Sequence, residues 1–212
     1  MNSKTTAKKI YHKFSNVEGN QHIASDYGLE VILTLVNDFK TKNILEVGLG
    51  IGSICDAILT YSKENSLEIN YTGTEANDFC LNALQQNVSR INDVKLFSYL
   101  EDVVTANKFD FIIIDGSDDT LSKVEKLCTP HALIFIEGGR ASQIATLKQV
   151  FPKAISAEII SMRRPPAYGP FDQKWSGGGT LIFINPTFRQ KQYRFKEKVK
   201  TYLTRRLRKF IK

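Results

Sequence analysis

Cysteine is scarce: three in 212 residues, Cys55, Cys80 and Cys128, far apart and without a CxxC pair. That spacing excludes a disulfide framework and a thiolate zinc site, and it fits a reducing cytosol. Long apolar runs are lacking too, since nothing approaches the ~18 residues of a membrane span. The opening MNSKTTAKKI has no apolar signal-peptide core, so a cytoplasmic protein is expected. Repeats and low-complexity linkers are absent. Acidic residues are nearly missing from one end: residues 189–212 hold eleven Lys/Arg and one acid, Glu197. The whole chain carries +7, so the tail at +10 leaves a body of −3, and any inference from basicity concerns the tail alone.

What is present is an ordinary globular composition, 42% hydrophobic and 24% charged, in a chain that suits one domain. Apolar strand-like runs at 43–47, 69–74, 94–98, 111–115 and 132–137 alternate with helical patterns at 53–62, 77–91, 99–106, 120–128 and 140–150. This alternation predicts a parallel sheet covered on both faces. Two later runs, 155–162 and 180–185, are joined by a loop, which predicts an antiparallel hairpin at the sheet edge. The expected fold is therefore α/β: a Rossmann-like, doubly wound, seven-stranded sheet, mostly parallel with an antiparallel C-terminal hairpin. Residues 1–186 form the domain, with a cap helix at 24–40, and 187–212 form a basic amphipathic helix.

The stretch NILEVGLGIGS places Gly48, Gly50 and Gly52 directly after the first strand. Ligands bind open α/β sheets at such strand ends, and glycine lets them approach the backbone. Glu46 discriminates among nucleotides. A carboxylate beside the turn opposes a pyrophosphate but favours a sulfonium and an ammonium, which argues against a nicotinamide-dependent oxidoreductase. In EVGLGIG the chain resembles the class I S-adenosylmethionine-dependent methyltransferases, of the small-molecule O-methyltransferase type, over about residues 24–186. The resemblance implies S-adenosylmethionine as cofactor. It implies Glu75 on the ribose hydroxyls, Tyr99 and Leu100 as the adenine wall, and Glu101 or Asp102 as partner of the exocyclic amine.

Asp115 ends the fourth strand in FDFIIIDGSDD, a phrase that resembles the one in small-molecule O-methyltransferases where the aspartate binds a divalent metal or the substrate, and it is expected in the same cleft as a catalytic and cofactor-binding residue. Asp118 follows in the loop, and Asp119 is expected as a helix N-cap. Metal-dependent relatives carry an Asp-Asn pair after the fifth strand, where this chain has Glu137-Gly138-Gly139. No metal is expected for that reason. Glu137 is a second catalytic candidate, as base or substrate ligand, with Arg140 as either its partner or simply the start of a helix. His22 is placed to reach the cleft, His131 reads as structural and His12 as surface.

The loop MRRPPAYGPFDQKWSGGG is expected to bind substrate: Arg163 and Arg164 suit an anion, while Tyr168, Phe171 and Trp175 suit a ring or sugar face. In the tail, Phe195, Val199, Tyr202, Leu203, Leu207 and Phe210 recur at spacings of three and four, an apolar stripe on a helix. Three readings stay open for it: peripheral attachment to an anionic membrane at its inner surface, nucleic-acid binding, or packing on the domain. The expected function is methyl transfer, most simply O-methylation, to a small-molecule or glycan-like acceptor. The alternatives are a nucleic-acid methyltransferase and a non-catalytic cofactor-binding scaffold.

Overall fold

The period-two pattern of the fourth strand accounts for the layering. In the computed structural model, which describes residues 2–211, Phe111 and Ile113 of β4 (Phe109–Ile114) enter one core and Ile112 and Ile114 the other. Alternate strand residues face opposite sides, so a strand apolar throughout must be covered twice. Around it lie β1 (Asn43–Val47), β2 (Asn70–Thr74), β3 (Val94–Phe97), β5 (Cys128–Glu137), β6 (Ile155–Ile159) and β7 (Gly179–Phe183), in the order β3-β2-β1-β4-β5-β7-β6. β1 to β5 pair in parallel, and β7 runs antiparallel to both β5 and β6. The seven-stranded, mostly parallel sheet with its antiparallel C-terminal pair is the expected architecture.

The larger core lies under α1 (Ser3–Phe14), α2 (Asp26–Phe39) and α3 (Ser53–Glu64). The expected cap helix is α2, whose N-cap Ser25 accepts the Gly28 N–H at 2.9 Å. The helix α1 was not anticipated, although Ala7, Ile10, Tyr11 and Phe14 have helical spacing and Asn2 caps it. Lys13 ties it to the buried Asp56 of α3 at 2.8 Å. The second core packs α5 (Ala141–Val150) against the other face through Leu147. Between β2 and β3 stands α4 (Asp78–Asn87).

Two expected α-helices are instead short 3₁₀ turns, Leu100–Asp102 and Leu121–Leu127. In the second, the buried Leu121 and Val124 are three residues apart and share the inward face of the 3₁₀ turn. In the first, Val103, Val104 and Thr105 crowd an α-helical turn. Neither Asp119 nor another side chain caps the second turn, whose N-cap is Thr120; Asp118 accepts the Thr120 N–H at 2.7 Å and the Leu100 N–H at 3.0 Å.

The tail forms α6 (Phe188–Phe210), with Thr187 and Gln190 in a reciprocal capping box. It lies along the edge strand β6. Met1 and Lys212, the outer ends of the two expected segments, lie outside the described residues.

Phe111, fully buried where β4 meets the larger core, gives a measure of that core. Phe111→Ala is expected to cost about 3–5 kcal/mol in urea unfolding, from lost burial and the cavity left behind.

Candidate functional site

Strand order reverses between β1 and β4, and the site is built at the carboxyl ends of these strands. Gly48 and Gly116 meet there back to back. A Cβ on Gly48, at φ +84°, would overlap the Gly116 backbone. The Gly116 N–H donates to Val47 O at 2.8 Å, and the Leu49 N–H to Thr74 O at 3.0 Å, so both flanking strands hold the turn. Gly50, at φ +53°, faces open space, as a backbone kept clear for a ligand would. Gly52 then caps α3.

Glu75 supports this turn from below. One carboxylate oxygen accepts the Gly50 N–H at 2.7 Å, and the other accepts Ala76 and Asn77 N–H at 2.9 Å each. Glu46 is wholly buried, takes a hydrogen bond from Tyr71 Oη, and has no partner for Oε1 among the described residues. Burial raises its pKa well above the carboxylate range, against the lowering by Tyr71. Burial thus disfavours the ionised form of Glu46 that is expected from sequence.

Two cavities adjoin at this edge. One of about 340 Å³ lies over the glycine turn, lined by Gly50, Ile51, Phe79 and Cys80. The other, about 830 Å³, is lined by Glu137, Arg140, Phe171, Trp175 and Ser176. His22, Ile23 and Asp115 line both. The segment before α2 is thus a shared wall. Gly19 makes this close seat available, since a Cβ there would come within 2.8 Å of Phe79 and 2.9 Å of Ile51. Phe79 and Ile23 were not singled out from sequence. The signal for Phe79 was an aromatic four residues beyond Glu75, in the first turn of a helix.

At the boundary, Arg140 Nη2 pairs with Asp115 Oδ1 at 3.0 Å and also holds the Asp115 carbonyl. Burial raises the Asp115 pKa well above its ordinary value, neighbouring Glu137 adds to the rise, and Arg140 opposes it. Glu137 is pushed up to about 7 by burial, against lowering by the Ser25 N–H and Arg140. Its carboxyl lies against Gly28, where a Cβ would come within 3.2 Å of Oε1. Among the described residues no three His, Cys, Asp or Glu side chains gather as a metal site would require.

The other sequence candidates are placed differently. Leu100 is buried in the second core, and Tyr99 is exposed and lines neither cavity. Glu101 pairs with Lys123, and Asp102 accepts the Tyr99 N–H at 3.0 Å. Arg163 is held by Asp26 at 3.0 Å and Glu30 at 2.6 Å, clamping the loop to α2. Arg164 lines a separate groove with Pro165 and Pro166, and Tyr168 packs on Tyr11 and His12. Of the five substrate-loop candidates, Phe171 and Trp175 line the large cavity. His131 sits within β5, its ring Nδ1 2.6 Å from Asn185 O.

No protein-family model and no curated protein sequence matches the chain. Solved structures do. The O-methyltransferase TomG from Streptomyces achromogenes, involved in tomaymycin synthesis and solved with SAM, superposes with a TM-score of 0.60 at 12% identity, covering 85% of this chain and 90% of that one. An O-methyltransferase from Bacillus cereus in complex with SAH gives 0.58 at 15% identity, covering 86% and 91%. The tRNA (m1A58) methyltransferase TrmI from Aquifex aeolicus gives 0.56 at 20%, covering 82% and 74%. The chain has the Rossmann-like methyltransferase fold. At these identities the likeness carries the fold and not the acceptor.

The two glycines are expected to fail differently. Gly48→Ala meets backbone at positive φ and should lower Tm sharply, by the equivalent of on the order of 2–4 kcal/mol. Gly50→Ala meets nothing and should cost only about 1–2 kcal/mol, for the left-handed conformation. Thermal melts of both variants measure the difference.

Proposed function

We propose that the protein is an S-adenosylmethionine-dependent methyltransferase that O-methylates a small-molecule or glycan-like acceptor. The observation that carries this reading is the pair of cavities meeting at Asp115, one over an open glycine turn and one beside Glu137. The residues present fit the cofactor. Gly50 leaves room at the turn, Glu75 Oε2, which accepts only the Gly50 N–H, retains a lone pair for a ribose hydroxyl, and Glu46 Oε1 is without a partner among the described residues. Bound S-adenosylmethionine supplies an electrophilic methyl group.

The chain's own residues do the rest. Glu137, with a pKa of about 7, is matched to accept a hydroxyl proton near neutrality. Arg140 holds Asp115 at the junction of the cavities and offsets the repulsion between the two carboxyls. Trp175 and Phe171 offer flat apolar faces to a ring or sugar. Arg163, committed to Asp26 and Glu30, acts on the acceptor only by fixing the loop that carries Trp175. The reaction is read as metal-independent, because Gly138 and Gly139 stand where the metal-dependent pattern has ligands. A nucleic-acid acceptor is the lesser reading, as no recognition module accompanies the basic helix.

S-Adenosylhomocysteine is expected to bind in calorimetric titration. Glu75→Ala should weaken it by about 1.5–3 kcal/mol, with the fold retained by circular dichroism. An unchanged affinity would remove Glu75 from the site.

A folded-state pKa raised from 4.5 to about 7 means that Glu137 keeps its proton in the native state after an unfolded chain has lost it. Its contribution is favourable below about pH 4.5 and is lost as pH rises through 7. Glu137→Gln should therefore raise Tm more at pH 8 than at pH 5. Turnover by the wild type should rise through pH 7, unaffected by EDTA. The variant should lose roughly 10²–10⁴-fold in kcat together with that pH dependence.

A further inference from the structure

The helix α6 rests on the domain by a mainly polar face, with Tyr193 packed on Phe39 and Phe183. Thr201 Oγ1 donates to Glu158 O at 2.6 Å, Arg194 Nε to Ser156 O at 3.1 Å and Arg208 Nε to Ser161 O at 2.9 Å. Gln190 Nε2 reaches His131 O at 2.8 Å, and Arg205 pairs with Glu158. Gln190, Thr201 and Thr204 are the buried residues of the helix. Edge strand β6 thus has some of its free carbonyls covered by side chains of a helix, and the helix is anchored along much of its length.

The apolar stripe therefore faces away. At about 100° per residue, Phe195, Val199, Leu203 and Phe210 fall within about 40° of the direction opposite the anchored face. All four are exposed, Phe195 by 69% and Phe210 by 83%, and Tyr202 and Leu207 beside them are exposed as well. An outward apolar band along a 23-residue helix exceeds the scattered exposure normal for a monomer. Basic side chains flank it on both sides: Lys191, Lys198 and Lys209 on one, and Lys196 on the other, where Arg189 and Lys200 also lie but reach Asp38 O and Tyr27 Oη.

We propose that α6 docks the protein onto an anionic lipid bilayer, lying flat with Phe195, Val199, Leu203, Leu207 and Phe210 at the acyl boundary and its flanking bases on lipid phosphates. The charge pattern selects this occupant. A second copy would bring two strongly basic faces together, and a nucleic acid would leave the apolar centre of the stripe without a partner. A bilayer with acidic headgroups satisfies both, because long basic side chains reach outward to phosphate while the helix centre sinks. Among the described residues no helix is long and apolar enough to cross a membrane, so the helix lies on the surface. The anchored end of α6 also touches the acceptor loop: Arg208 stacks on Trp175 with its guanidinium 5.2 Å from the ring centroid. This inference stands independently of the methyl-transfer reading.

The full chain is tested by flotation with vesicles of phosphatidylglycerol and phosphatidylcholine, and with phosphatidylcholine alone. Flotation is expected with the anionic vesicles only, and it should fall at least tenfold as added salt screens the charges. The triple variant F195S/L203S/L207S changes exposed side chains and should melt as the wild type does, yet lose at least tenfold in vesicle partitioning. K191E/K196E/K198E should lose binding similarly. Equal flotation of wild type and both variants would overturn the proposal. So would a wild-type dimer that the serine variant dissociates in size-exclusion chromatography, which would assign the stripe to a second copy. Binding of a nucleic-acid duplex with no vesicle binding would overturn it as well.

Discussion

Gly48 and Gly116 touch where β1 and β4 end, and the site is arranged around that contact. Two parallel strands that come this close at their carboxyl ends leave no room for a side chain on either residue. The approach turns the chain sharply at Gly48, brings Gly50 to an open position and places Asp115 one residue before Gly116. Glu75, at the end of the neighbouring strand, then fastens the turn through the Gly50 N–H. Backbone packing thus comes first, and the ligand-facing groups follow from it.

The electrostatics of the site follow from its depth. Glu46, Asp115 and Glu137 are three carboxyls within one edge of a parallel sheet, and burial pushes each toward its neutral form. Arg140 is the cation among them and is spent on Asp115 by both a side-chain and a backbone contact. Glu46 keeps one oxygen without a partner. A group arriving with positive charge would find acceptors that are costly to leave unpaired, and this electrostatic demand suits a cationic cofactor better than an anionic one.

The helix α6 inverts the usual relation of an amphipathic helix to its domain. A surface helix normally buries its apolar stripe and wets its polar face. Here threonines and arginines meet carbonyls in and just after the edge strand, Gln190 reaches His131 O of β5, Tyr193 packs inward on Phe39 and Phe183, and Phe195, Tyr202 and Phe210 are exposed. Edge carbonyls need donors more than they need apolar cover, and the basic helix has donors in excess.

The strands, their parallel order, the terminal hairpin and the glycine turn were legible in the sequence, because each has a local pattern: period-two or continuous apolar runs, and glycines at fixed offsets after a strand. Asp115 and Glu137 were legible as strand-end residues for the same reason. Where a side chain points once two distant segments meet is not a local property. Arg163 reads as an anion ligand until α2 supplies Asp26 and Glu30, more than 130 residues earlier. Leu100 reads as an adenine wall until the second core closes over it. Ionisation is likewise beyond local pattern, since Glu46 reads as a charge in sequence and is pushed toward its neutral form only by the desolvation that the assembled sheet and helices impose. The direction of the α6 stripe belongs with these: the spacing of Phe195, Val199 and Leu203 determines that a stripe exists, and only the docking of Thr201 and Arg194 on β6 decides that it faces out.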